Sequence, residues 1–190
     1  MLNKKDFQLI RKDISNADKQ REIVIKESRD ILKYSKHAIY AIHRNDMKNA
    51  DSLLKKAAFK IKKLRKMKQS HSTNAFNSAL QEYAEAFCYF GFVKNNKIPT
   101  RRELGIDFEN YLLGICDLTG ELGRRAVNSV IKKRYKEVIK IKEVVEDIYG
   151  EFLNFNLRNS ELRKKSDSIK WNLKKIEDIV YDLNIKGLMK

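Results

Sequence analysis

The chain has 190 residues, of which 42% are hydrophobic and 35% are charged, and its formal net charge is +16. This length is typical of a single folded domain covering residues 1–190, and the apolar content is sufficient for a core, which excludes a disordered chain. The positive charge predicts a polyanionic partner, either nucleic acid or an acidic membrane surface, with a compositional bias towards Lys as the competing interpretation.

The cysteines and the apolar runs indicate the compartment. Cys88 and Cys116 are the only cysteines, and two thiols are too few for the disulfide framework of a small secreted protein. No apolar run approaches the roughly 20 residues of a membrane span, and the N-terminus lacks the apolar core of a signal peptide. We therefore expect a cytoplasmic protein with no membrane partner.

The first 90 residues are predicted to hold long helices, because glycine and proline are absent before Gly91. An apolar seam in three-four alternation predicts one long helix that continues to about Arg44. Asn45 or Asp46 then supplies the stop and a fresh N-cap. The seam consists of Phe7, Ile10, Ile14, Ala17, Val24, Ile31, Ala38 and Ile42.

The second helix combines an apolar stripe with a basic remainder, and no acidic residue occurs between Asp51 and Glu82. Residues 1–70 hold twenty Lys and Arg against eight Asp and Glu, so twelve of the sixteen net positive charges lie there. Unpaired positive charges repel one another along a helix, so we interpret this face as a phosphate contact rather than a solvated surface. The predicted contacts are Lys55, Lys56, Lys60, Lys62, Lys63, Lys66 and Lys68.

The third helix, at about 76–93, is almost entirely apolar or aromatic, so we expect it to be covered on most sides. A basic connection follows at 94–107, in which one turn of helix begins at Thr100. Its pair Arg101 and Arg102 is a candidate nucleic-acid contact, and a plain surface linker is the equal alternative.

Three more helices are predicted at about 108–132, 135–149 and 162–183, and glycines end the last two of them, Gly150 and Gly187. No strand-like alternation is present. The chain is therefore predicted to be all-α, a bundle of six to seven helices, several of them long.

Two features of the later helices are unusual for solvent-facing sequence. Gly114, Gly120 and Gly123 lie inside the helix at 108–132, where each costs roughly 1 kcal/mol relative to Ala, so they suggest close approach of another backbone or a ligand. On the last helix, Trp171 and Tyr181 are interpreted as core or subunit-contact residues.

Four acids stand at helical spacing in apolar surroundings, and they are the candidate catalytic and metal-binding residues. Glu82 and Glu85 are three residues apart, and Asp117 and Glu121 are four apart, so each pair shares one helix face. Like charges buried together cost stability unless a cation or protons neutralise them. Carboxylate oxygens suit Mg²⁺ or Mn²⁺, and the absence of a Glu-x-x-His pattern argues against a redox-active iron centre.

The neighbours of these acids along their helices differ. Glu82, Glu85 and Asp117 have no Lys or Arg one turn away, so each is predicted to lack a local basic partner. Glu121 has Arg124 and Arg125 and fits an ordinary surface ion pair. Lysines distant in sequence are the alternative source of neutralisation for the first three.

The acids lie in two motifs that resemble hallmark stretches of the translin family, specifically its Trax branch. The first is QEYAEA at 81–86, and the second is YLLGICDLTGELGRR at 111–125. The C-terminal part, 157–187, is similar instead to translin proper, with its LRK segment and VYDLNIKG ending. The resemblance is plain from about residue 76 onward and only compositional before it, and it implies a translin-like helical fold.

The resemblance implies an Mg²⁺-dependent endoribonuclease in which Glu82, Glu85, Asp117 and Glu121 carry over as the acidic set. It also implies a homo-oligomer, a shell of eight subunits, because one chain with both signatures is similar to the archaeal members. Non-catalytic binding of single-stranded RNA or DNA, of the translin type, is the alternative. The connection between the motifs is short where Trax chains have a long insertion, which leaves substrate selection open.

The expected partner is therefore RNA or single-stranded DNA, held by its phosphates without a reading of sequence. The stretch that translin uses for nucleic acid, just before the third helix, is matched loosely by Lys66, Lys68 and His71. Beyond the lysines of the second helix, the predicted contacts are His71, Arg101, Arg102, Arg124 and Arg125.

Overall fold

The structure, a computed structural model, describes residues 2–67, 73–158 and 160–188, and seven helices occupy these ranges. The all-α prediction is confirmed, since these ranges contain no strand. Within the same ranges, no helix combines the length and apolar character that crossing a membrane requires. The helices are α1 (Lys4–His43), α2 (Met47–Leu64), α3 (Asn74–Asn95), α4 (Arg101–Leu104), α5 (Phe108–Ile131), α6 (Tyr135–Leu153) and α7 (Glu161–Ile185).

The chain divides into two compact units, Met1–Tyr83 and Ala84–Lys190, and the division falls inside α3. In the first unit, α1 packs against α2. Asn45 ends α1 with a positive φ of 61°, and Asp46 caps α2 by accepting a hydrogen bond from the Asn49 amide at 3.2 Å. The predicted stop and N-cap are thus both present.

The apolar seam of α1 is buried only in the C-terminal half of the helix. Val24, Ile31, Ala38 and Ile42 are fully buried, whereas Phe7 is 44% exposed and residues 2–23 are all exposed. The period of the seam fixes which face is apolar, but a face is buried only where another element covers it.

In the second unit, α5 packs against both α6 and α7, and these two also pack against each other. Leu118 and Leu122 of α5, Ile141 of α6, and Ile169 and Ile176 of α7 are fully buried. Burial of each such side chain contributes about 1.5–3 kcal/mol. The three-helix core thereby fixes the acidic motif of α5 against α7.

One predicted helix end is wrong, because α6 continues through Gly150 to Leu153. Gly150 does not adopt the left-handed backbone that a terminating glycine needs, and Phe152, 8% exposed, carries the buried face one turn further. The stop after α7 occurs as predicted, since Gly187 has a φ of +64°.

A glycine of α3, Gly91, closely approaches another backbone, whereas Gly120 and Gly123 of α5 do not. A Cβ at Gly123 would meet no heavy atom within 4 Å, and one at Gly120 would make only ordinary contact at 3.7 Å. A Cβ at Gly91 would stand 2.6 Å from Cδ of Pro99 and 2.8 Å from the carbonyl oxygen of Lys97. The connection after α3 therefore folds back onto Gly91.

We expect Gly91→Ala to lower the free energy of unfolding by about 1–3 kcal/mol, because its methyl group would displace Pro99 and the backbone at Lys97. Gly150→Ala is the matched control: nothing lies within 4 Å of its Cβ position, so better helix propensity should raise stability by up to about 1 kcal/mol. Urea denaturation followed by circular dichroism measures both. Equal stabilities of the two variants would contradict the close approach.

Candidate functional site

The four predicted acids lie on α3 and α5 and are withdrawn from solvent to different degrees. Glu85 is buried with 8% of its surface exposed, and Glu82, Asp117 and Glu121 are half-buried. Glu82 belongs to the first unit and the other three to the second. A carboxylate removed from water in this way requires a compensating charge or hydrogen bonds.

Asp117 obtains its compensating charge from a lysine that is remote in sequence. The Lys165 ammonium of α7 donates a hydrogen bond to Oδ2 of Asp117 at 2.5 Å. Burial raises the pKa of the Asp117 carboxyl above its ordinary value, Lys165 opposes this rise, and the nearby charge of Glu161 adds to it. Asp117 therefore has no basic partner on its own helix, but a lysine distant in sequence neutralises it, which was one of the two possibilities that the sequence left open.

A buried threonine of the same motif provides a second bond between α5 and α7. The side-chain amide of Asn172 donates to Oγ1 of Thr119 at 2.9 Å, and that hydroxyl donates to the carbonyl oxygen of Cys116 at 2.7 Å. Thr119 is fully buried. The sequence carries no local signal for Lys165 or Asn172, because both partners lie on another helix.

The two arginines that follow Glu121 have different partners. Arg124 pairs with Glu121 at the surface, and Arg125 pairs with Glu137 in a buried position. Arg124 is exposed and lies 3.7 Å from Glu121, as expected for an ordinary surface ion pair. Arg125 is 8% exposed, and two of its guanidinium nitrogens each lie 2.6 Å from Oε1 of Glu137 on α6. The Ser129 hydroxyl donates to the other oxygen of Glu137 at 2.8 Å. The prediction of Arg125 as a nucleic-acid contact is therefore corrected, since its donors are buried against Glu137.

Several lysines of α2 are paired with acids. The Lys60 ammonium lies 2.5 Å from Glu27 and 3.0 Å from Asp30 on α1, and its hydrogen bond to Glu27 raises the pKa of Lys60. Lys63 lies 3.9 Å from Glu27, and Lys55 lies 2.5 Å from the acid one turn before it. The prediction of a helix with unpaired positive charges is wrong at these three positions, because α1 and the preceding turn supply acids.

The remaining predicted contacts differ in what the structure shows of them. Lys68 and His71 lie outside the described residues. The exposed ones are Lys56, Lys62, Lys66, Arg101, Arg102 and Arg124.

The acids suit a divalent cation by their chemistry but are not gathered into a centre in the described part of the chain. No group of three or more His, Cys, Asp and Glu is arranged there to hold a metal ion. Carboxylate oxygens are the ligands that Mg²⁺ prefers, and a cation bound to Asp117 would compete with Lys165. Cys88 and Cys116 offer no thiolate, because burial raises the pKa of each to about 12.

Comparison with known proteins gives one family along most of the chain. The model of the Translin family matches residues 19–187. Translin of Gallus gallus is 43% identical over 95 residues, which cover 49% of this chain and 42% of that protein, so the match spans less than half the length of the relative. A protein of Methanocaldococcus jannaschii is 32% identical over 88% of this chain and 78% of its own length. Translin-associated protein X of Pongo abelii is 26% identical over 95% of this chain and 78% of its own length.

Solved structures share the fold over nearly the whole chain. The crystal structure of apo-NeC3PO matches with a TM-score of 0.86 at 29% identity, covering 95% of this chain and 97% of that one. AfC3PO in complex with duplex RNA matches with a TM-score of 0.88, covering 97% and 100% of the two chains. The latter is 24% identical, and a likeness at that level shows the fold alone.

We expect Lys165→Met to lower the free energy of unfolding by about 1–2 kcal/mol at neutral pH, because Asp117 would lose its compensating charge. The expected loss is modest because solvent screens the Asp117 side chain, which is 31% exposed. Lys164→Met changes an exposed neighbour on the same helix and should have little effect. Urea denaturation measures both variants.

The same pair predicts a pH dependence of known sign. Burial holds the pKa of Asp117 above its ordinary value, so the charge of Asp117 disappears earlier on acidification than that of an exposed aspartate. The stability difference between Lys165→Met and the unaltered protein should therefore shrink as the pH falls through that raised pKa. A difference independent of pH would contradict an electrostatic role for Lys165.

Proposed function

Because this chain belongs to the Translin family, we propose that it binds nucleic acid and cleaves RNA internally at its four acids in the presence of Mg²⁺, with Mn²⁺ as a substitute. The chain is proposed to act as a homo-oligomer, a shell of eight subunits. Membership of the family and the net charge of +16 support the binding, and the occurrence of the four acids within the two Trax-like motifs supports the cleavage.

The binding proposal rests on cations that remain exposed after the ion pairs are taken into account. Arg101 and Arg102 are both exposed on the short helix α4, and lysines of α2 add to them. Such side chains contact phosphates and release counterions, which gives affinity without sequence specificity. AfC3PO, which shares the fold, has been solved with duplex RNA. RNA is therefore the proposed partner, with single-stranded DNA as a second ligand of the same charge.

The cleavage proposal rests above all on Asp117, a half-buried carboxylate whose pKa burial raises, inside a motif that resembles the Trax one. Perturbed carboxylates concentrate at functional sites. The residues proposed to hold the cation are Glu82, Glu85, Asp117 and Glu121. A bound Mg²⁺ would supply an activated water and stabilise charge on phosphate oxygens. The carboxylates themselves would orient that water, and the exposed arginines would bind the phosphates of the RNA strand.

A second function, non-catalytic binding of nucleic acid, is favoured by a specific observation. Lys165 already neutralises Asp117, and the described residues contain no group of three donors arranged for a metal. In that case the acids are structural, and the shell binds RNA or single-stranded DNA without cleaving it.

We expect the protein to retain RNA at low salt and to lose affinity steeply as salt rises. Arg101→Ala/Arg102→Ala should weaken binding several-fold and reduce the slope of log affinity against log salt by about 1–2. Lys142→Ala is the control, because Glu146 neutralises this lysine at 2.6 Å. Filter binding over a series of salt concentrations measures the slopes, and no retention even at the lowest salt would exclude nucleic-acid binding.

We expect Mg²⁺-dependent cleavage of RNA that EDTA abolishes and that Glu85→Gln or Asp117→Asn reduces by at least about a hundredfold, because the cation contributes several kcal/mol in the transition state. Glu109→Gln alters an exposed acid at the start of α5 and should leave cleavage unchanged. Gel analysis of a labelled RNA measures the rates. Binding without any metal-stimulated cleavage would replace this proposal with the non-catalytic one.

A further inference from the structure

Helix α7 carries two stripes with three-four spacing, and only one of them is buried. The inner stripe packs against α5 and α6 and consists of Leu162, Ile169, Leu173, Ile176 and Leu183. The other stripe, here called the outer stripe, is exposed along its whole length. It consists of Asp167, Trp171, Lys174, Asp178, Tyr181 and Ile185.

The outer stripe exposes three large apolar or aromatic side chains on one helix face, which is unusual for a helix face in contact with solvent. Trp171 is 61% exposed, Tyr181 65% and Ile185 66%. Beside Trp171 lies a groove of about 520 Å³ between the end of α6 and α7, lined in part by Leu153, Phe155 and Asp167. The sequence predicts Trp171 and Tyr181 to be core or subunit-contact residues. Their exposure excludes a core position and leaves the subunit contact.

The order of side chains along the outer stripe indicates that its partner is a second copy of this chain. About the position of Ile176, Trp171 mirrors Tyr181, and Lys174 mirrors Asp178. A stripe that is aromatic at mirrored positions and opposite in charge at mirrored positions is complementary to its own copy in the antiparallel direction. We propose that the outer stripe pairs antiparallel with the outer stripe of a second copy of this chain, with the two-fold axis beside residue 176.

In this pairing the residues meet in layers, as in antiparallel packed helices with a three-four repeat. Trp171 meets Tyr181 of the second copy, and Lys174 meets Asp178 of the second copy. Two-fold symmetry repeats each contact, which gives two aromatic contacts and two ion pairs. Parallel pairing in register would instead place Lys174 against Lys174 and Asp178 against Asp178, so the charges select the antiparallel direction.

The same register accounts for the groove. Asp167 mirrors Ile185 about residue 176, and Asp167 and Trp171 both line the groove. Ile185 of the second copy therefore lies at the level of the groove, whose walls include the apolar side chains of Leu153 and Phe155. The inference rests on the homo-oligomer of the proposed function and adds to it the surface, the direction and the register.

A disulfide experiment tests the register. In Trp171→Cys/Tyr181→Cys the two cysteines are ten residues apart on one helix, about 15 Å along its axis, too far to bond within a chain. Antiparallel pairing brings each cysteine to its mirrored partner, so mild oxidation should give covalent dimers on a non-reducing gel. Trp171→Cys alone and Tyr181→Cys alone should form no covalent dimer, because identical positions of the two copies lie about 15 Å apart along the axis. The unaltered protein, with Cys88 and Cys116 buried, sets the background.

A charge-exchange experiment tests the direction independently. Lys174→Asp and Asp178→Lys should each raise the dissociation constant of the assembly at least about tenfold, and the two exchanges together should restore it. Lys140→Asp, on an exposed position of α6, is the control and should leave assembly unchanged. Sedimentation measures assembly, and circular dichroism identifies any variant that has not folded.

Each contrary result has a distinct meaning. Assembled protein in which the double-cysteine variant does not link, or in which a single variant links equally well, overturns the pairing and leaves the homo-oligomer standing. Unaltered protein that is monomeric at every concentration overturns the pairing and the oligomer, while RNA binding is judged separately by filter binding. Quenching of the single tryptophan, Trp171, by an RNA oligonucleotide in monomeric protein would assign the groove to a nucleobase and overturn the pairing.

Discussion

A charged side chain that folding removes from water needs an opposite charge beside it. Helix α5 carries two such side chains, and each forms an ion pair with one of the two helices that pack against α5. Asp117 is bonded to Lys165 of α7, and Arg125 is bonded to Glu137 of α6. A missing partner would leave a charge unpaired in a poorly solvated place, which costs more than the pair itself contributes. These pairs therefore fix how α5 is rotated and which face presents the acidic motif.

The pair between Asp117 and Lys165 also links stability to the proposed chemistry. The carboxylate that best supports a cation site is the one that α7 already neutralises with an ammonium. A divalent cation bound at Asp117 would compete with Lys165 for this carboxylate, so metal affinity would depend on how readily Lys165 moves. The basic character of the chain is likewise divided, since Lys60 and Arg125 are held in ion pairs and only part of the positive charge is available to phosphates.

Helix α7 joins this site to the proposed assembly. Its inner side carries Lys165 and Asn172, which bond to Asp117 and Thr119 of α5. Its outer side carries Trp171 and the other residues of the outer stripe. A second copy paired along that stripe would hold α7 in place from outside, and through α7 it would hold the partners of the acidic motif.

The sequence by itself determined the helices and the acids, because period, caps and motifs are local. Asp46 caps α2 and Thr100 begins α4 as predicted, since a capping side chain bonds only a few residues along the chain. Arg124 and Arg125, by contrast, are indistinguishable from their spacing to Glu121. Only the tertiary structure buried Arg125 and paired Asp117 with a lysine 48 residues away, because those partners lie on other helices and packing alone brings them together.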